Sequence, residues 1–247
     1  MKPYKRRPIK LLSLVASALL MQACDNDDTT FVANPPPPPP PAMASFDVTV
    51  TNMTGAQPLS PIAVIAHQEG YAVFTVGAAA TTGLEELAEG GDNASLLAEA
   101  DGNAMVVATA SGAAPIGPAG SETVNIEVLE SELPDLLLSI STMLVNTNDA
   151  ISGINGATIS NMALGDIVTL RGIAYDAGTE ADTELAAEIP GPAGGGEGFN
   201  AARSDRVDRV AMHSGIVSQD DGYATSSLTG QHRFDNPVTQ IRIERIE

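Results

Sequence analysis

The chain of 247 residues sets 12 lysines and arginines against 31 aspartates and glutamates, a formal net charge of −19. So acidic a surface excludes nucleic acid as a partner and repels anionic lipid headgroups. Cys24 is the only cysteine, which excludes an intramolecular disulfide.

The N-terminus reads as an export signal. Lys2, Lys5, Arg6, Arg7 and Lys10 precede an apolar run over residues 11–21, which ends at Gln22, Ala23 and Cys24. A basic region, a short apolar core and a small residue at the cut define a secretory signal over residues 1–23. The run is shorter than the ~20 apolar residues that a membrane span needs. The stretch "LLMQAC" resembles the lipobox of bacterial lipoproteins, with Met21 where leucine is usual, and this makes Cys24 the expected lipidation site. Acyl chains contribute ~0.8 kcal/mol per buried CH₂, so the membrane is the expected partner of the anchor. The expected location is a bacterial cell envelope, facing the periplasm or the cell surface. Cleavage would leave seven arginines against the same 31 acids, a net of about −24, and no lysine.

Residues 24–44 form a tether. Seven consecutive prolines, Pro35 to Pro41, make a stiff polyproline II spacer rising ~3.1 Å per residue. Residues 45–247 then suffice for one domain with a sizeable core.

The pattern within that domain is mostly strand. In "SFDVTVTN", Phe46, Val48 and Val50 alternate with polar residues, the sign of a half-buried strand. "PIAVIAH" (61–67) and "YAVFTVG" (71–77) read as short apolar strands split by the turn signal "QEG". "GLEELAEGGDNASLLAEADG" (83–102) reads as helix, with Leu84, Leu87 and Ala88 on one stripe, a stop at Gly90-Gly91, and a second turn with Leu96, Leu97 and Ala100 on its buried side. Either Asp92 or Asn93 would cap that second segment. Further strands are expected over 104–110, over "ETVNIEVL" with Val124, Ile126 and Val128 inward, over 135–145 and over 166–175. Residues 205–213 are either strand or helix. "NPVTQIRIERI" closes the chain with Thr239, Ile241 and Ile243 on one face. Many short strands, Gly/Pro turns and one or two short helices predict a mainly β fold, an antiparallel β-sandwich.

Catalytic signatures are sparse. There is no "GxSxG", "HExxH", "CxxC" or Walker loop, and His67, His213 and His232 lack metal-ligand spacing. The glycine-rich "PGPAGGGEGF" (190–199) reads as a loop rather than a phosphate cradle. Oxygen ligands remain. "LVNTNDAISG" and "AYDAGTEADTE" each end an apolar strand in amides and carboxylates. Asp176, Glu180, Asp182 and Glu184 crowd into nine positions without a lysine or arginine among them. If strand ends meet at one edge, Asn146, Asn148 and Asp149 would face Asp176, Glu180 and Asp182. A hard divalent cation with six to eight oxygen ligands, calcium above all, would offset the repulsion among these acids. The alternative is a solvated acidic loop.

The series "STMLVNTNDAISG", "AYDAGTEADTE", "IPGP" and "GEGF" resembles bacterial spondin-domain proteins, often lipoproteins, related to the N-terminal domain of the animal matrix proteins F-spondin and mindin. There, "PSPDWFVG" is followed by "YDAGTD". The resemblance spans most of residues 46–246. It implies a sandwich of the spondin type, similar to calcium-binding membrane-targeting domains, with a cation near one end. Carried over, Asp149 matches the aspartate of "SPDW" and Asp176 that of "YDAG". Glu180 stands where the animal pattern has aspartate, and Ala150 where it has tryptophan. The resulting expectation is a lipid-anchored binding or adhesion module rather than an enzyme, with an envelope protein or glycan as ligand. Its calcium site would comprise Asp149, Asp176, Glu180 and Asn146. The alternatives are a glycan hydrolase with Asp149 and Asp176 as acid and base, and a purely structural envelope protein.

Overall fold

A computed structural model describes residues 38–202 and 207–247. The signal segment, Cys24 and most of the proline tether lie outside the described residues. The compact unit runs from Pro40 to Glu247, and among its described residues no helix is long and apolar enough to cross a membrane.

Among the described residues, nine strands and two short α-helices follow in the order β1 (Met43–Asn52), β2 (Ala63–His67), α1 (Thr82–Gly90), α2 (Ala94–Asp101), β3 (Val106–Ser111), β4 (Ser121–Leu129), β5 (Leu137–Met143), β6 (Ala150–Thr158), β7 (Ile167–Asp176), β8 (Ala211–Met212) and β9 (Thr239–Arg245). All pairings are antiparallel, in the spatial order β3-β2-β5-β6-β7-β9-β1-β4, with β8 beside β7. The sheet is nearly closed. The mainly β expectation holds.

The fold turns on β7. Its first half, Ile167 to Gly172, pairs with β9, and its second half, Ile173 to Asp176, pairs with β6. One strand therefore belongs to two sheets: a front sheet, β4-β1-β9-β7, and a rear sheet, β7-β6-β5-β2-β3. The crossing requires glycine at position 172. A Cβ there would lie 2.1 Å from Thr239 Oγ1 and 2.9 Å from Ser152 Oγ, two hydroxyls that hydrogen-bond each other at 3.0 Å across the crossing.

Alternation decides what the sheets enclose. Phe46, Val48, Val50, Ile126, Val128, Ile241 and Ile243 point from the front sheet into a core shared with Val64, Leu138 and Ile140 of the rear sheet. The opposite face of the rear sheet is also buried. Ala63, Ile65 and Ile151 pack there against Leu84, Leu87, Ala88 and Leu96 of the two helices. Each such leucine contributes roughly 1.5–3 kcal/mol by leaving water.

The helix pair stops and restarts where the sequence says it should. Thr81 caps α1 by accepting from the Leu84 N–H at 3.2 Å. Gly91 ends it in the left-handed region (φ 71°), and a Cβ there would meet Ser60 Cβ at 2.9 Å. For α2, Asp92 accepts from the Ala94 N–H at 2.9 Å. Asn93 instead donates its amide to the carbonyls of Ile62 and Pro61 and to Ser111, tying the helix start to the rear sheet.

Two local readings change. Residues 71–77 form no strand. Their backbone is claimed by one side chain: Asn155 accepts from the Val73 N–H at 2.9 Å and donates to the Phe74 carbonyl at 3.0 Å. Phe74 then packs against Tyr175 in a tilted pair, with ring centroids 4.7 Å apart. Conversely, "AISGINGAT" is strand β6 although glycine and polar residues hide its period. Gly153 is obligatory there, since a Cβ would fall 2.0 Å from the Ile140 carbonyl. In the ambiguous 205–213 segment, the regular structure among the described residues is the two-residue β8.

Candidate functional site

The acidic end forms because β6 starts beside the end of β7. Ala150 pairs with Asp176, so Asp149, in the bend just before β6, stands beside the end of β7. The turn before β6 is set by Thr147, whose hydroxyl donates to the Leu144 carbonyl and accepts from the Ala150 N–H. Asp149 is thereby turned inward and fully buried. Its Oδ2 accepts from the N–H groups of Thr179 (2.8 Å) and Glu180 (3.1 Å) and from the Thr179 hydroxyl (3.4 Å). Among the described residues, its Oδ1 has no hydrogen-bond partner. Burial and the neighbouring Asp176 carboxylate push the Asp149 carboxyl up to about 8, against the pull of the two backbone donors.

The loop after β7 carries the other acids. Asp176 Oδ1 accepts from the Gly178 N–H at 2.7 Å. Gly178 has φ 74°, and a Cβ there would lie 2.3 Å from the Arg209 carbonyl. That close approach lets residues 207–211 lie against the loop, with β8 pairing Ala211 to Asp176 and Met212 to Tyr175. The result is a cleft of about 130 Å³ lined by Asp176, Gly178, Glu180, Asp182, Val207, Arg209 and Ala211.

Buried polar groups brace this end. His213 Nδ1 accepts from the Gly215 N–H, which leaves Nε2 toward Asp182 Oδ1 at 3.8 Å. Burial lowers the His213 pKa, opposed by Asp182 and Asp176. Glu184 accepts from the Val217 N–H at 2.9 Å, and burial pushes its carboxyl up to about 7. Asn148 accepts from the Glu184 N–H at 3.2 Å.

The expected ligand set is thus divided. Asp149 and Asp176 adjoin, and Glu180 is buried with its N–H on Asp149. Asn146 does not join them. Its Oδ1 accepts from the Ala193 N–H and its Nδ2 donates to the Ala56 carbonyl, both at 2.9 Å, so its amide anchors the glycine-rich 190–199 loop instead. Asp182 takes a place on the cleft wall. Sequence reading set His213 aside for want of metal-ligand spacing and did not name Arg209; both flank the two-residue β8, whose pairing with β7 brings them to this end. Among the described residues, no three His, Cys, Asp or Glu side chains group closely enough to form a ready metal cage. The donors that fit a hard cation are a two-carboxylate nucleus, Asp149 and Asp176, with one buried carboxylate oxygen of Asp149 still unbonded.

A helix-backed sandwich that gathers its charged groups in loops at one end has the build of a binding module. The chain belongs to the spondin N-terminal domain family, whose model matches residues 53–188. The match covers β2 to β7 and both acidic segments, while β1 and β9 lie beyond it yet complete the front sheet. No curated protein matches the sequence. Membership supports an extracellular module of the binding or adhesion type.

Proposed function

We propose that this protein is a lipid-anchored binding or adhesion module of a bacterial cell envelope whose acidic end is stabilised by calcium. Asp149 and Asp176 would be the principal ligands, with Glu180 beside them and backbone carbonyls and water completing the shell. The observation that carries the reading is the unbonded Oδ1 of a wholly buried Asp149 next to Asp176. An ionised carboxylate in that position is costly without a cation. The lipobox-like "LLMQAC" and the tether motivate the anchor at Cys24.

Calcium at about 100-fold its Kd should stabilise the fold by ~2.7 kcal/mol, read as a rise in Tm that chelator reverses. The Asp149→Ala/Asp176→Ala double variant should lose that response. An unchanged calcium response in the variant would refute the assigned ligands.

The glycan-hydrolase alternative loses its geometric basis. Asp149 has no exposed surface with which to reach a glycosidic bond, whereas acid and base must flank the scissile bond.

A further inference from the structure

The rear sheet is covered by α1 and α2. Among the described residues, no element covers the solvent face of the front sheet. The registers arrange that face as four rows across β4, β1, β9 and β7: Ser121, Thr51, Gln240, Arg171; Thr123, Thr49, Arg242, Thr169; Asn125, Asp47, Glu244, Ile167; and Glu127, Ser45, Ile246, Gly165. Arg171 and Arg242 oppose Asp47, Glu244 and Glu127, a net of about −1 on a chain of about −24. Here like-charge repulsion between copies is nearly cancelled. The charges are also largely segregated, with the arginines toward one corner and Asp47 and Glu127 toward the diagonally opposite one, while Glu244 lies off that diagonal beside Arg242.

We infer that two copies of this chain associate through the front-sheet face about a two-fold axis lying in the plane between them. Strands spaced about 4.8 Å apart, with same-face residues about 6.8 Å apart along each strand, define a lattice. On that lattice a single in-plane dyad through the centre of the four rows, perpendicular to the charge diagonal, superposes Arg242 on the partner's Asp47. The same dyad superposes Arg171 on the partner's Glu127. It also brings Ile167 to within about 3 Å, in projection, of the partner's Ile167. Ile167 is 51% exposed, an apolar side chain otherwise facing water. The operator thus makes each of the two charge pairs twice and one apolar contact, the self-complementarity that an isologous dimer requires, against one like-charge approach, Glu244 to the partner's Glu244, at about 3 Å in projection.

The present partners of these groups are surface ones: Glu244 for Arg242 at 2.8 Å, Met53 Sδ for Arg171 at 3.2 Å, and the Asn125 amide for Asp47 at 2.9 Å. Exposed contacts of this kind contribute little and exchange readily. The four-by-four patch covers about 500 Å² on each copy, so the association sits at the weak end of specific interfaces. It uses no group of the acidic end and is independent of calcium.

The test is sedimentation equilibrium of the purified chain at low ionic strength, with circular dichroism as a check of folding. The wild type should dimerise, with Kd rising at least tenfold in 0.5 M salt. Arg171→Glu/Arg242→Glu and Asp47→Arg/Glu127→Arg should each be monomeric while keeping the wild-type spectrum. Their equimolar mixture should recover the dimer, because each reversed charge then meets its complement. Ile167→Cys in a Cys24→Ser background should cross-link between copies on oxidation. A wild type that stays monomeric to 1 mM, reversed variants that dimerise like wild type, or a mixture that stays monomeric would overturn the proposal. The first of these outcomes would leave the face to another partner.

Discussion

The middle of the sandwich and its acidic end are held by different physics. In the middle, Phe46, Val48, Ile241 and Leu138 interdigitate between two sheets, and stability comes from apolar area removed from water. At the acidic end, Asp149, Asn146, Asn148, Glu184 and His213 are also buried, but each is polar and held by specific hydrogen bonds. The first region's core carries no ionisable side chain for pH or ions to act on. The second carries carboxyls whose ionisation opposes burial. The contrast suggests that the middle supplies the fold and the end carries whatever responds to the surroundings.

Three changes test that contrast. The largest effect is expected in the middle. Phe46→Ala removes a wholly buried ring and should cost about 3–5 kcal/mol. Denaturant unfolding should show that loss equally at pH 5 and pH 8, and with or without calcium. A loss that depends on either would mean the regions are not separable.

The next largest effect is at the acidic end. In the folded chain Asp149 holds its proton up to about pH 8, against an ordinary 3.8. The folded state therefore binds more protons than the unfolded state between these values. Its contribution is fully present below about pH 4 and is lost as pH rises toward 8. Glu184, raised to about 7, acts in the same direction. In chelator, stability should fall by a few kcal/mol from pH 5 to pH 8.5. Asp149→Asn keeps an oxygen for the Thr179 and Glu180 donors but cannot ionise, so thermal melts across that range should be flatter. A slope equal to wild type would assign the pH dependence to other groups.

The smallest effect sharpens the border between the regions. Asn155→Ala releases the Val73 N–H and Phe74 carbonyl and should cost about 1–2 kcal/mol. Amide exchange should rise at residues 73–77 and stay unchanged in β1 and β9. Protection lost throughout would show that the 71–77 loop is integral to the sandwich.

Local chemistry made much of this legible. Phe46/Val48/Val50 and Thr239/Ile241/Ile243 alternate because a strand shows its faces at period two, and that needs no knowledge of neighbours. The glycine stop at Gly90-Gly91 and the caps around it are equally local. Residues 71–77 misled for the same reason. Their apolar period is real, but the ladder partner was replaced by the amide of Asn155, 82 residues from Val73. β6 was hidden because Gly153 answers a close approach by β5, a constraint written in another strand.

The sequence by itself determined a mainly β domain with an apolar core and a helix pair, and the two acidic segments, since composition and period are properties of contiguous residues. Only the tertiary structure decided that Asp149 and Asp176 adjoin, that Asn146 turns away to hold another loop, and that the front-sheet face carries a diagonal of opposite charges. Those facts depend on register between strands far apart in the chain, and a slip of one residue would turn every one of these side chains to the other face.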